Sequence, residues 1–405
     1  MKPTCHECIE VKEIVKKKCM VQAALVLLLV LCFSCAAAQE AKDLTNACII
    51  SSPDKTTDKV HDGAYTSFWQ SRTNKKPHLE FQTPEGESAQ YLYICFAEMP
   101  EAWSIEEEIN GEWQTSIEGT TDYYHVLVAL NGKNHFRLVG ISEKKSYLKL
   151  NEVFVFSDGE LPDWVQQWEA PLDKADLLAL AAHPDDELLF LGGTIPYYAG
   201  EMGRKVQVAY LVPTMPYRRL ELLDGLWLCG VKNYPMIGHF PDKYQLTLKG
   251  MYAQKGWSRE SVYRFVADVY RACRPDVVVT QDVNGEYGHG AHRAAADAAQ
   301  AAVALAADAD YQKKMAHSEP WQIKKLYIHL YEQNPVKMDW RKPLAAFDGQ
   351  TAFDVACRAF ACHISQQRTD YHVEDFGPYD NSRFGLAFSA IGEDTRKDDF
   401  FEHVE

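Results

Sequence analysis

Apolar and polar positions change rhythm near residue 176, and that change divides the chain. Between 45 and 158 the apolar residues come in short runs. His78-Leu79-Glu80-Phe81-Gln82 alternates with period two, and aromatic-rich runs follow at 91–96, 123–129, 136–139 and 147–156. Pro84-Glu85-Gly86, Asn110-Gly111 and Asn131-Gly132 separate them as turn signals. A period of two sends alternate side chains to opposite faces, so several such strands at this spacing predict an all-β sandwich.

From 176 to 405 the pattern is different. Apolar runs at 177–182, 205–212, 234–238, 275–280 and 325–331 alternate with helical periodicities at 188–200, 218–230, 258–273, 293–307 and 351–366. Leu222, Leu226 and Cys229 share one helical face, which Gly230 ends. Ser258 stands where an N-cap belongs, and the alanines of 293–307 let that helix lie close on a sheet. Strands alternating with helices read as βαβ units. The fold class expected here is α/β, a Rossmann-like, mostly parallel sheet with helices on both faces. Residues 159–175, with Pro162 and Pro171, read as a linker whose Trp164 and Trp168 seal the junction.

Apolar content of 46% with 12% aromatics suits packed domains rather than extended disorder. Residues 1–38 stand apart from both. Lys16, Lys17 and Lys18 precede an apolar stretch at 21–33, and Ala36-Ala37-Ala38 leads to Gln39. That is the order of a secretory signal peptide, which implies a secreted or periplasmic protein. Cys32 and Phe33 spoil the lipoprotein box that would end at Cys35, so a lipid anchor is the weaker reading. Loss of the leader removes five Lys and three Glu and takes the formal charge from −15 to −17. So acidic a chain has no basic surplus to neutralise phosphates, which argues against a nucleic-acid partner. Past the leader six of the eleven cysteines remain, none at metal or redox spacing. Cys48 and Cys95 could pair after export, but buried free thiols are the simpler reading.

Candidate chemistry gathers at three places. His183-Pro184-Asp185-Asp186-Glu187 ends the first α/β strand, where open sheets place ligands. Asp282-Val283-Asn284-Gly285-Glu286-Tyr287-Gly288-His289-Gly290-Ala291-His292 follows the strand ending at Thr280, and Arg218-x-x-Glu221 opens a helix. A hydrolytic zinc site needs three protein ligands and an open position. His183, Asp186 and one histidine of the second cluster supply them, and iron(II) also suits an imidazole–carboxylate set. Bound zinc brings a water's pKa down to about 7. Asp185, beside a ligand but not one itself, is placed to take the proton. His289, if protonated, could steady an oxyanion and protonate the leaving amine. Taken alone, the first cluster has a turn with capping aspartates as its lesser alternative.

Ala182-His183-Pro184-Asp185-Asp186-Glu187 resembles the hallmark of the LmbE/PIG-L family of zinc-dependent de-N-acetylases, and Tyr287-Gly288-His289-x-x-His292 resembles its second motif. Arg218-x-x-Glu221 with Leu228-Cys229-Gly230-Val231, and His363-x-Ser365-Gln366, resemble two further blocks, so the likeness runs from about 176 to 367. It implies His183, Asp186 and His292 as metal ligands and Asp185 as general base. His289 becomes acid or oxyanion stabiliser, assisted by Tyr287, with Arg218 touching substrate. The implied substrate is an N-acetylated amino sugar of the N-acetylglucosamine type. An amidase acting on an amino-sugar conjugate, or an inactive carbohydrate-binding protein, are the alternatives. The family has Pro-Asp where this chain has Gly290-Ala291, which touches rate, pH optimum or substrate more than metal binding. In the sandwich segment, Asp62-Gly63, Thr66-Ser67-Phe68-Trp69 and the closing run 148–156 resemble the discoidin-like (F5/8 type C) jelly rolls. That likeness implies a packing module or a glycan-binding one.

Overall fold

A computed structural model describes residues 39–404 except 54, 75, 121, 144, 145, 214, 315, 318 and 369. The signal-peptide reading of 1–38 lies outside the described residues. Nine strands come first: β1 (Ile49–Ser51), β2 (Trp69–Gln70), β3 (His78–Gln82), β4 (Ala89–Glu98), β5 (Ala102–Ile109), β6 (Glu112–Thr120), β7 (His125–Lys133), β8 (His135–Ile141) and β9 (Lys149–Phe156). They make two antiparallel sheets, β1-β3-β8-β5-β6 and β2-β9-β4-β7. Leu79, Phe81 and Leu138 of one sheet share a core with Leu92, Ile94, Leu150 and Val153 of the other.

The strict alternation at 78–82 buries Leu79 and Phe81 as its period requires. β5 and β6 are not announced by the apolar pattern, because carboxylates occupy much of β5. The sheet accommodates them by pairing: Arg137 Nε donates to Glu106 at 2.7 Å and Lys133 Nζ to Glu107 at 2.5 Å. Asn110-Gly111 is the tight β5–β6 turn, both residues at positive φ. Asn131-Gly132 is not a hairpin turn. It lies within β7, where the ladder to β4 slips and the chain leaves one sheet for the other, as a bulge does at a corner.

The two tryptophans of 159–175 each pack on one part, and Trp164 keeps 46% of its surface exposed. Trp164 packs edge-on against Phe154 of the sandwich at 4.8 Å, and Trp168 against Trp227 at 5.5 Å on the other side. Between them the Gln166 amide donates to Asp224 at 2.5 Å.

The second sheet has β10 (Leu177–Ala181), β11 (Val206–Tyr210), β12 (Met236–Ile237), β13 (Val277–Thr280), β14 (Lys325–His329), β15 (Pro335–Lys337) and β16 (Arg383–Ser389) in the order β12-β11-β10-β13-β14-β16-β15. The first five are parallel, and β16 alone runs the other way, pairing antiparallel with both β14 and β15. Its helices are α1 (Asp186–Leu189), α2 (Pro216–Leu228), α3 (Leu248–Tyr252), α4 (Arg259–Cys273), α5 (Gly290–Ala307) and α6 (Ala352–Ala361). Leu177, Ala179 and Ala181 of β10 face the core built with α1, α2 and α6. Leu178 and Leu180 face the core built with α4 and α5. Such two-sided burial is why 177–182 is apolar without alternation. The chain proceeds outward from β10 to β12, then returns to build β13 and β14 on the other side. A crevice opens at the carboxyl ends of β10 and β13, the place where such sheets bind ligands.

Several expected boundaries move. The helix expected at 188–200 breaks: α1 ends at Leu189, and a π-helical turn spans Pro196–Glu201. Gly192, at φ +49, causes the break by pressing against Asn381, whose side chain a Cβ there would meet at 2.3 Å. The third strand keeps two residues, and the irregular stretch after it contains α3. Helix 351–366 stops at Ala361 after a capping box between Thr351 and Asp354. α5 starts at Gly290, three residues earlier than the pattern predicts, which carries His292 onto the helix. Ser258 caps α4 as expected, accepting from the Ser261 amide. All six described cysteines are free thiols, so Cys48 and Cys95 are not paired.

Lys325 anchors the carboxyl-terminal segment. Fully buried at the start of β14, it pairs with Asp394 and reaches the Glu402 carbonyl, while the Tyr327 hydroxyl donates to Asp394 at 2.5 Å. Lys325→Ala strands the buried Asp394 charge and is expected to lower unfolding free energy by about 3–5 kcal/mol in denaturant titration. The double change Lys325→Met/Asp394→Leu removes both charges and should recover most of that loss.

Candidate active site and metal centre

Two loops meet at the switch point. One leaves β10 through Pro184, and its residue Asp185 takes φ 113, ψ −29. A β-substituted residue holds such a conformation at about 1–3 kcal/mol, a strain that must be supported by its surroundings. Support comes from both sides. The Asp185 amide donates to Glu187 Oε2 at 2.9 Å, and Arg218 donates to Asp185 Oδ2 at 3.2 Å and to the Pro184 carbonyl at 2.8 Å. Asp186 then opens α1. Its Oδ2 accepts the His183 amide at 2.7 Å and lies 3.1 Å from His183 Nδ1 and 3.3 Å from His292 Nε2.

The other loop leaves β13, turns back at Tyr287 (φ 43) and Gly288 (φ 79), and enters α5 with His289 as its N-cap. His183, His289 and His292 each bring a ligating atom within 4.8 Å of the others. The Tyr287 hydroxyl is 3.5 Å from His292 Nε2. The three residues expected to be metal ligands, His183, Asp186 and His292, therefore converge with His289 and Tyr287, with Asp185 next to them. Arg218, expected to touch substrate, has its guanidinium engaged with Asp185 and Pro184.

Glu286 and the segment after β12 also reach this cluster, which the sequence pattern does not signal. Glu286 is buried, and its carboxylate accepts from His292 Nδ1 at 2.9 Å, from His329 Nδ1 at 2.8 Å and from the Asp282 amide at 2.9 Å. It orients the His292 ring, and His329 is a satisfied core histidine behind it. Spacing hides this role, because only the positive-φ turn at 287–288 folds residue 286 back under 292. From the other direction, Asp242 lies 3.8 Å from His183 Nε2 and the Tyr244 ring 5.4 Å from His289.

The neighbours also settle the tautomers. With Nδ1–H directed at Glu286, His292 turns the lone pair of Nε2 toward His183 and Asp186, the arrangement a carboxylate-oriented metal ligand needs. His289 Nδ1 accepts the Ala291 amide at 3.3 Å, which leaves the proton on Nε2. Burial and the adjacent His183 and His292 push His289 down to about 3, so its ring is neutral near pH 7. A neutral Nε2–H suits oxyanion stabilisation better than the acid role that a protonated ring would fill. Burial would raise Asp186, but His292 and His183 hold it well below the usual range. Burial and the Asp186 charge raise Asp185, partly offset by Arg218. A carboxylate raised in this way is tuned toward the range where a base works best. Two imidazole nitrogens and a carboxylate are a donor set that zinc or iron(II) accepts.

The Gly290-Ala291 pair has a physical account. The Gly290 amide donates to the Gln245 carbonyl at 2.5 Å, a bond proline lacks, and a Cβ there would meet that oxygen at 2.9 Å. Ala291 is fully buried in the core under α5, where a carboxylate would be stripped of water.

A doubly wound α/β domain with a histidine–carboxylate cluster at its switch point is the class that this fold and site define. Residues 178–303 match the PIG-L family model, described as GlcNAc-PI de-N-acetylase. Two relatives are named 1D-myo-inositol 2-acetamido-2-deoxy-alpha-D-glucopyranoside deacetylase. The one from Rhodococcus jostii is 33% identical over 187 residues, 40% of this chain and 63% of that protein. The one from Streptomyces scabiei is 31% identical over 177 residues, 37% of this chain and 54% of that protein. The chain thus spans little more than half the length of these relatives. Among solved structures, N,N'-diacetylchitobiose deacetylase from Pyrococcus horikoshii matches with TM-score 0.37 and 20% identity, over 50% of this chain and 75% of that one.

Proposed function

We propose that this chain is an exported, metal-dependent hydrolase that removes the acetyl group from an N-acetylated amino sugar of the N-acetylglucosamine type. The observation that carries the reading is the position of Asp186 Oδ2 between His183 and His292, with Asp185 beside it but turned to Arg218. Zinc, or iron(II), would be held by His183, Asp186 and His292. Such an ion would supply Lewis acidity toward the amide carbonyl and the attacking water. Asp185 takes the water's proton, and its contact with Arg218 fixes which way the carboxylate faces. His289 offers its Nε2–H to the oxygen that becomes negative, and Tyr287 presents a hydroxyl from the same loop. Asp185, having gained the proton, is the group positioned to return it to the departing amine.

Export rests on the leader at 1–38, and the two-sheet domain serves in this reading as a discoidin-like glycan-binding module. The relatives' printed names support an acetamido sugar as substrate. The test is acetate release by the full mature chain, loaded with zinc or iron(II), from a panel of N-acetylglucosamine glycosides. Stoichiometric metal without acetate from any of them sinks the deacetylase reading. Amine release without acetate would instead show an amidase acting on a longer acyl group.

A further inference from the structure

Glu187 stands in the first turn of α1, where an acidic side chain ordinarily faces water and complements the helix dipole. This one does not. It is fully buried, and one carboxyl oxygen, Oε2, turns back to accept the amide of Asp185 at 2.9 Å. The other, Oε1, makes no close hydrogen bond; the buried Tyr210 hydroxyl interacts with this carboxyl group, and Oε1 lies 3.8 Å from Nε2 of His363. His363 is equally buried, and neither of its ring nitrogens is hydrogen-bonded. Its ring lies beside Gly225 of α2, where a Cβ would press on the Ala359 carbonyl of α6 at 3.1 Å and touch His363 Nε2 at 3.5 Å. Two polar groups are thus enclosed side by side directly under the residue with φ 113. Burial of polar groups with unused hydrogen-bonding capacity is unfavourable, so their retention asks for a role that packing alone does not supply.

The geometry points to Glu187 as a positioning residue for the deacetylation step: its carboxyl group clamps the Asp185 amide, and His363 backs the clamp. The inference rests on the proposed function, since it concerns the aim of the Asp185 carboxylate. Asp185 is held at both ends, by Glu187 on its amide and by Arg218 on its carboxylate. Releasing the amide lets the backbone relax out of its strained conformation and swings the carboxylate off the reacting water. A displacement of that kind lowers turnover without weakening ground-state binding. Asp186, by contrast, is fixed independently by the His183 amide, so the metal ligands should stay in place.

The test compares Glu187→Ala and Glu187→Gln with wild type in acetate release, metal content and hydrogen exchange of the residue 185 amide. Glutamine keeps an acceptor oxygen for that amide, and alanine does not. The clamp predicts a 10- to 100-fold fall in kcat for alanine, with KM within about two-fold and metal content unchanged. It also predicts that glutamine recovers kcat to within about three-fold and restores slow exchange at residue 185. Glutamine as impaired as alanine overturns it, as does metal loss that parallels the fall in kcat, or a rise in KM at unchanged kcat. Should alanine fail to fold, glutamine decides alone: kcat within about three-fold of wild type with slow exchange at residue 185 keeps the clamp, and a larger fall in kcat or fast exchange there overturns it. Wild-type protein that releases no acetate sinks the proposed function alone, and exchange at residue 185 then still reads the clamp.

Discussion

Asp185→Asn is expected to keep its metal and lose about 10²–10⁴-fold in kcat, the usual contribution of a positioned base. The change is nearly isosteric. The backbone contact with Glu187 is untouched, and asparagine still offers an oxygen to Arg218. Asp186, His183 and His292 hold one another through the Asp186 carboxylate without help from Asp185. Removing the charge therefore takes away proton acceptance and little else. Acetate release and metal analysis on the same preparation give the answer. Wild-type turnover in the variant would move the base elsewhere, and metal lost in proportion to activity would make Asp185 a ligand.

The second large effect is expected at Glu286, which touches no part of the substrate in this reading. Glu286→Ala leaves His292 and His329 without their shared acceptor, together with the Asp282 amide, all in a buried setting. A carboxylate that orients a ligand imidazole is worth about 10–100-fold in metal affinity. Chelator competition should show a loss of that size, and KM for substrate in the metal-saturated enzyme should change little. The same residue makes stability depend on acid. Burial alone would raise its pKa, but the bonds from His292 and His329 outweigh that and hold it down to about 2, against 4.5 ordinarily. A group whose pKa is lower in the folded than in the unfolded state stabilises fully above the unfolded value. That contribution disappears as pH falls from about 4.5 toward 2. Metal-free protein followed by circular dichroism should lose stability steeply across this window, and Glu286→Gln should lose it less steeply. An identical slope in both proteins would place the acid sensitivity elsewhere.

The two clusters that carry the chemistry were legible because each is local. A strand that is buried on both faces must be apolar along its length, so β10 ends visibly at His183-Pro184-Asp185-Asp186. β13 ends as visibly before Asp282. Helix starts were legible where a cap is a single side chain, as at Ser258 and Thr351. What failed was where a distant contact overrides local preference. Gly192 yields to Asn381, β5 keeps its carboxylates because Arg137 and Lys133 come from other strands, and Asn131-Gly132 makes a corner rather than a hairpin.

The residue types of the site, their order and the two strand ends that present them follow from the sequence by itself, because periodicity and turn chemistry act over a few residues. Only the tertiary structure decided which atoms face one another. Parallel pairing of β10 with β13 sets the two loops side by side across a gap of about one hundred residues in the chain. A backbone reversal at Tyr287 and Gly288 brings Glu286 beneath His292. The positive φ of Asp185 turns Glu187 from a helix-start acid into a buried contact to its amide. These are consequences of packing and of strained backbone positions held by remote partners, and no local pattern encodes them.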